Sequence, residues 1–200
     1  MIVTDKKQLN IKCEPCSSIE EGEEIAVKLL KELTESKNGI GIAAPQIGIQ
    51  KRVCIVNVPT VNNKEPIILI NPEIVEKSEE KFAFTEGCLS FPNQTVKTMR
   101  HKNIKIKADN VGGYLYFTAD SVREDDVSYA YETACVQHEI DHLDGITMFE
   151  REYKHQPIVR RFEKIGRNQK VLITKGSESK TIKYKKFKSY SEDGWVLSKV

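Results

Sequence analysis

The stretch Gln137-His138-Glu139-Ile140-Asp141-His142 constrains this chain more than any other. Two histidines four residues apart fall on one face of a helix, with Cβ atoms about 5 to 6 Å apart, and can share one ion. Glu139, between them in sequence, can lean toward a water on that ion as general acid and base without being a ligand. A third protein ligand has to come from elsewhere, and Cys88 in Glu86-Gly87-Cys88-Leu89-Ser90 supplies a thiolate. Three protein ligands leave a coordination position open, which is what separates a catalytic site from a closed structural one.

The same helix has to wall a cavity. Tyr131, Ala134, Cys135, His138 and His142 fall on one stripe at i, i+3, i+4, i+7 and i+11, so the residues preceding the ligands either pack as core or line the pocket beside the ion. Gly145 is expected to close the helix. A second small-residue segment, Gly39-Ile40-Gly41-Ile42-Ala43-Ala44-Pro45-Gln46, ends in a primary amide and offers donors to a developing oxyanion; taken alone it also reads as a turn under a sheet.

Taken together, GIGIAAPQ at 39–46, EGCLS at 86–90 and QHEIDH at 137–142 resemble the three signature motifs of the peptide deformylases, in order and with similar spacing, over roughly residues 20–165. The resemblance implies hydrolytic removal of the N-formyl group from the initiator methionine of nascent chains. It assigns Cys88, His138 and His142 as metal ligands, Glu139 as the proton carrier, and the Gln46 side chain with the Leu89 backbone N–H as oxyanion donors. It implies Fe(II) in the cell, with Zn, Ni or Co able to occupy the site, since a Cys-His-His set suits several divalent ions. The methionine side chain is expected against Ile40, Phe84, Gly87, Tyr131, Ala134 and Cys135, and the peptide backbone along Gly41 and Ile42 as an added strand. Two positions depart from the family's pattern. Tyr131 replaces a smaller aliphatic residue and narrows the pocket, and Thr95 stands where many bacterial members carry an arginine at the peptide entrance.

Two other readings compete. A zincin-type protease also uses H-E-x-x-H, with a third ligand downstream for which Glu150, Glu152 or His155 are candidates. A non-catalytic ribosome-associated protein would need only the C-terminal part, but no ligand and no Glu139 has been lost.

The rest of the chain fits a small α+β enzyme with mostly antiparallel strands around the metal helix. Ser18-Ile19-Glu20-Glu21 offers a capping box, Ile25, Ala26, Leu29, Leu30 and Leu33 recur on one helical face, and Asn38-Gly39 is expected to end that helix. Residues 52–58 and 67–75 read as strands, and Ile104 to Phe117 as a hairpin turning at Val111-Gly112-Gly113. A polar loop over 121–128 precedes the metal helix, and a further helix is expected over 156–164. Of five cysteines, Cys54 lies in an apolar run as a small hydrophobe, and Cys13-x-x-Cys16 has no second ligand pair to complete a zinc site. No apolar run reaches a membrane span and the N-terminus lacks a signal-like apolar segment, so a cytoplasmic protein with neither membrane nor DNA partner is expected. Nothing in the sequence fixes an oligomeric state.

Charge divides the chain into an expected catalytic domain, 1–166, and an extension, 167–200, which is expected to be small and β-rich. The extension holds nine Lys or Arg against three Asp or Glu, a charge of +6 within a chain whose net charge is +2. Val171 to Thr174 and Thr181 to Tyr184 suggest a hairpin, followed by a short helical turn and a last strand near Trp195. Two readings stay open for it: a solvated lysine-rich appendage, or an element facing ribosomal RNA.

Overall fold

The structure is a computed structural model that describes residues 1–36, 38–60, 64–120, 126–153, 167–176 and 178–197. The chain divides into two compact units, Met1–Lys154 and His155–Val200.

In the first unit, α1 (Lys6–Leu9) is capped by the Asp5 carboxylate, and α2 (Ile19–Glu35) starts at Ser18, whose hydroxyl accepts the Glu21 N–H. The expected capping box is displaced by one residue. The Glu21 carboxylate reaches back to the N–H and hydroxyl of Ser17, not to the backbone of Ser18. Helix α2 ends at Glu35, earlier than Asn38-Gly39, because the Ser36 hydroxyl turns onto the Leu33 carbonyl and also accepts the Gly39 N–H. Its buried face, Ile25, Ala26, Leu29 and Leu33, meets Ile42, Val53, Ile55 and Ile70. Each fully buried aliphatic side chain of this kind contributes about 2 kcal/mol.

Those partners belong to an antiparallel sheet of β1 (Gly41–Ala43), β2 (Val53–Val56) and β3 (Ile67–Ile70), with β1 at its edge. The glycine-rich segment is thus a short strand followed by a 3-10 turn, Ala44–Ile47, with Pro45 near its start. The strand expected over 67–75 is broken in two. Asn71 sits at φ 52°, in the left-handed region, with its side chain bonded to both backbone groups of Cys16; asparagine tolerates that conformation and the chain turns there. Beyond it, β4 (Glu73–Lys77), β7 (Asn103–Lys107) and β8 (Leu115–Thr118) form a second antiparallel sheet, in which β7 and β8 are the expected hairpin. The longest hairpin, β5 (Lys81–Cys88) with β6 (Phe91–His101), was not legible in the sequence, because most of its residues are exposed or half-exposed and show no clean apolar alternation.

Helix α3 (Ser128–Leu143) carries the ligand candidates and is buried on every side from Glu132 onward. Val136, Ile140 and Leu143 pack against Cys54, Val56, Ile104, Ile106 and Phe117. Its C-terminus is a Schellman motif: Gly145 at φ 70° donates to the His142 carbonyl, and the Ile146 N–H reaches Asp141. The start of the polar loop before α3 and the helix expected over 156–164 lie outside the described residues. Cys13, Cys16 and Cys54 are buried free thiols within the apolar clusters.

The second unit contains β9 (Lys170–Lys175), β10 (Glu178–Lys183), α4 (Phe187–Glu192) and β11 (Val196–Leu197), with β9 central in the sheet. Val171, Ile173 and Trp195 form its core, covered by Ile182, Tyr184, Phe187 and Tyr190. No described helix is long and apolar enough to cross a membrane.

Candidate active site

Strand β5 delivers Cys88 at its end, where a register shift between Gly87 and Cys88 opens the β5–β6 pairing. Helix α3 delivers His138 and His142 one turn apart, with ring centroids 4.8 Å apart and nearly perpendicular. Cys88 Sγ and one ring nitrogen of each histidine all lie within 4.8 Å of one another. Cys88 Sγ is 3.3 Å from His142 Nε2.

The two imidazoles are held differently. His138 Nδ1 is 2.9 Å from the Glu86 carboxylate, which turns Nε2 toward the sulfur. Burial disfavours a charge on His138, but its contacts with Cys88 and Glu86 outweigh burial and raise its pKa well above the usual imidazole range. Burial, together with the nearby charges of His138 and Arg100, pushes His142 well below that range, and its Nδ1 has no hydrogen-bond partner. Glu86 is buried at 4% exposure and also accepts hydrogen bonds from Arg100 and Thr98. Burial alone would raise its pKa; Arg100 and His138 overcome this and hold it at about 2. Arg100 in turn reaches Asp141, which also pairs with Arg151.

Glu139 points from α3 toward β1. Burial pushes its carboxyl up to about 7, despite the opposing effect of His138. Its Oε2 is buried without a partner. Space for this carboxylate depends on Gly41, since a Cβ there would fall 2.5 Å from both Glu139 Oε1 and Cys135 Sγ. Gln46 is 1% exposed. Its Oε1 accepts the Ala43 N–H at 2.8 Å, which directs Nε2 toward Cys88 Sγ and Ser90 Oγ. The donor set fits a divalent ion: a thiolate, two imidazoles, one of them oriented by a carboxylate, and an unpartnered carboxylate oxygen nearby.

A cavity of about 510 Å³ opens onto this cluster. Ile40, Gly41, Gln46, Phe84, Gly87, Leu89, Tyr131, Ala134 and Cys135 line it, and so does Thr95. Tyr131 meets Phe84 edge to face at 4.9 Å, so the bulky residue that departs from the family's pattern forms part of an aromatic wall. Ile42 is the exception among the expected pocket residues. Its side chain is fully buried in the α2 core, because alternation along β1 turns it away, and only its backbone remains for the substrate side.

Of the protease-type ligand candidates, Glu150 is engaged with Thr147 and Lys6, and Glu152 follows the 3-10 turn Met148–Arg151 and bridges to Thr98. His155 lies outside the described residues. Sequence reasoning had not singled out Glu86, Gln137, Asp141 or Arg100. The first three stand inside the quoted motifs, Glu86 two residues before Cys88 and Gln137 and Asp141 each immediately before a histidine, whereas nothing near Arg100 in sequence marks it.

A soft donor set at the foot of a walled cavity, with an acid and base beside it near neutrality, is the equipment of a metal-dependent amide hydrolase. The comparisons with known proteins narrow that class. A model of the polypeptide deformylase family matches residues 1–157. A peptide deformylase of Prochlorococcus marinus (strain AS9601) is 36% identical over 152 residues, which is 74% of this chain and 71% of that one. The crystal structure of a probable peptide deformylase from Synechococcus phage S-SSM7 is 37% identical with a TM-score of 0.62, over 76% of this chain and 98% of that one. A Met-Ala-Ser-bound class I type b peptide deformylase from Acinetobacter baumannii is 30% identical with a TM-score of 0.63, over 76% of this chain and 96% of that one. The chain belongs to the polypeptide deformylase family. It is an α+β enzyme that removes the N-formyl group from nascent polypeptides, and family members are metal-dependent.

Proposed function

We propose that Cys88, His138 and His142 hold one divalent metal, Fe(II) in the cell, and that Glu139 carries the proton through the reaction. The convergence of the three donor atoms within 4.8 Å, with the orphaned Glu139 oxygen nearby, is the observation that supports this reading. When bound, the metal supplies the Lewis acidity that makes water a nucleophile near neutral pH. Glu139 takes the proton of the attacking water at its free oxygen and returns it to the leaving amine nitrogen; burial, which disfavours its charged form, favours that uptake. Gln46 Nε2, aimed by the Ala43 N–H, and the Leu89 backbone N–H donate to the oxygen that gains charge as the formyl carbon becomes tetrahedral. The amine then leaves and formate is released.

The formyl-methionyl side chain enters the cavity between Ile40, Phe84, Gly87, Tyr131, Ala134 and Cys135, and the peptide backbone runs along Gly41 and Ile42, where β1 is a sheet edge. Thr95 offers no charge to longer peptides. The enzyme works in the cytoplasm, where formylated chains are made. Residues 1–166 act as the catalytic domain and 167–200 as a basic extension that faces the ribosome, supported by its charge of +6.

Formate release from formyl-Met-Ala-Ser, measured with metal content on the same samples, tests the assignment. Glu139→Gln should retain a full equivalent of metal and lose roughly 10²-fold or more in kcat; an unchanged kcat would refute the proton-carrying role.

A further inference from the structure

The unit His155–Val200 has a cleft of its own, in a region outside the family match. A cavity of about 440 Å³ is lined by Arg167, Tyr184, Lys185, Phe187, Lys188 and Ser191. Three of these six side chains are cationic and none is acidic. The extension's carboxylates, Glu178, Glu192 and Asp193, are absent from the lining. The cations are placed by backbone structure: the Lys185 N–H donates to the Arg167 carbonyl at 2.9 Å and the Tyr184 N–H to that of Gln169 at 2.8 Å, which pins the 3-10 turn Tyr184–Lys186 beside the start of the sheet. Between the charges, the rings of Tyr184 and Phe187 lie nearly parallel, 13° apart in plane and 6.1 Å between centroids. Both are half-buried against the Val171, Ile173 and Trp195 core, so their orientation is set before any ligand arrives. Two other lysines of the unit are engaged elsewhere. Lys180 lies over the Trp195 ring at 4.0 Å, and Lys175 donates to the Asp193 carbonyl.

We propose that this cleft binds single-stranded RNA, with Arg167, Lys185 and Lys188 taking successive phosphates and the Tyr184–Phe187 pair giving bases a stacking surface. A lysine-rich surface that only solubilises needs no fixed aromatic rings among its charges. Cations tracking a backbone beside aromatic faces are the combination that single strands use, and stacking tolerates any base. The choice of RNA over DNA rests on the ribosome-facing reading, because the activity is directed at nascent chains; the cleft itself does not depend on it.

The test uses the full-length protein and fluorescence anisotropy of a labelled oligouridylate of about twelve nucleotides, long enough for one such site. Lys185→Ala/Lys188→Ala should weaken binding about tenfold or more and reduce the slope of log K against log[salt] by about 1.4, at roughly 0.7 per phosphate contact on a single strand. Lys170→Ala/Lys183→Ala removes the same charge from a pair that faces across β9 and β10 outside the cleft, and should change affinity less than about threefold, as only diffuse attraction is lost. Phe187→Leu keeps apolar volume but removes the π face, and should weaken binding several-fold or more while the emission of Trp195, the chain's one tryptophan, stays unchanged. Equal losses in the two lysine pairs would overturn the proposal in favour of diffuse charge. So would complete displacement of the oligonucleotide by inorganic phosphate at matched ionic strength, which marks a simple anion site, or tighter binding to phosphatidylglycerol vesicles with the same lysine dependence, which marks a lipid surface. Ribosome co-sedimentation separates the two levels: oligonucleotide binding and sedimentation that both survive Lys185→Ala/Lys188→Ala retire the cleft and keep the ribosome reading, whereas cleft-dependent oligonucleotide binding without sedimentation does the reverse.

Discussion

Glu86→Gln should weaken both metal binding and the fold, and the structure sets the size of each effect. Glu86 accepts from Thr98 at 2.6 Å, from Arg100 Nη2 at 2.8 Å and through a second bond from Arg100 Nε, and faces His138 Nδ1 at 2.9 Å. Lowering a carboxyl from 4.5 to about 2 corresponds to about 3 kcal/mol, at roughly 1.4 kcal/mol per pH unit. Breaking a buried ion pair by removing one partner costs about 3 to 5 kcal/mol, and Arg100 keeps Asp141 here, which favours the low end. For a chain of this size, a loss of about 3 kcal/mol is a fall in Tm of roughly 6 to 12 °C. The same substitution loosens the orientation of His138, and losing such a partner costs about 10- to 100-fold in metal affinity. Because the folded pKa is depressed, the wild-type advantage is complete above the unfolded value near 4.5 and is lost as pH falls toward 2. Differential scanning calorimetry at pH 7 and across that acid range, with metal affinity from chelator competition, reads all three effects. A variant that melts within about 2 °C of wild type and holds metal as tightly would show that the Glu86–Arg100 pair neither stabilises the fold nor orients the ligand.

Cys88→Ala should lose tight metal binding and formate release together, whereas Cys54→Ala, fully buried in the β2 core, should keep both and lose about 1 kcal/mol of stability; metal stoichiometry and denaturant titration of the two variants check this. Gly41→Ala places a methyl group 2.5 Å from Glu139 Oε1 and Cys135 Sγ, so kcat should fall at least tenfold with a stability loss of about 1 to 3 kcal/mol, and near-normal turnover would mean the Glu139 position is not critical.

The Cys88, His138 and His142 cluster was legible because the spacing of its histidines dictates a shared helical face. Histidines at i and i+4 need a helix, and α3 spans Ser128–Leu143; helix α2, the β7–β8 hairpin and the β9–β10 hairpin likewise followed from apolar periodicity and turn residues. What failed to show was structure specified by partners distant in sequence. Strands β5 and β6 present mixed, largely exposed side chains, and what fixes them is a few buried polar residues, Glu86, Thr98 and Arg100, whose meaning appears only when the two strands are paired. Arg100 carries no local signal at all. The break at Asn71 is similar: asparagine permits a left-handed residue, but the bonds from Cys16 that hold it there come from fifty-five residues away.

The hexapeptide 137–142 shows how dense such specification can be. His138 and His142 face the cluster with Cys88, and Glu139 faces Gly41. The polar residue before each histidine is engaged on the other side. Gln137 clamps the backbone of His101, accepting its N–H and donating to its carbonyl, and Asp141 binds Arg100 and Arg151. Positions 137 and 141 are again i and i+4, so a second stripe docks α3 onto the end of β6 just as the first aims at the metal donors. Strand β6 pairs with β5, which ends at Cys88. The distance between the Cys88 sulfur and the two imidazoles is therefore set by a closed circuit of short links: Gln137 to His101, Asp141 to Arg100 and Glu86 to His138 bridge the helix and the hairpin, and Arg100 to Glu86 ties the two strands of the hairpin together. A donor cluster assembled from two separate elements needs such a circuit, because helix packing alone would let α3 slide by a fraction of a turn and carry both imidazoles out of reach of the sulfur.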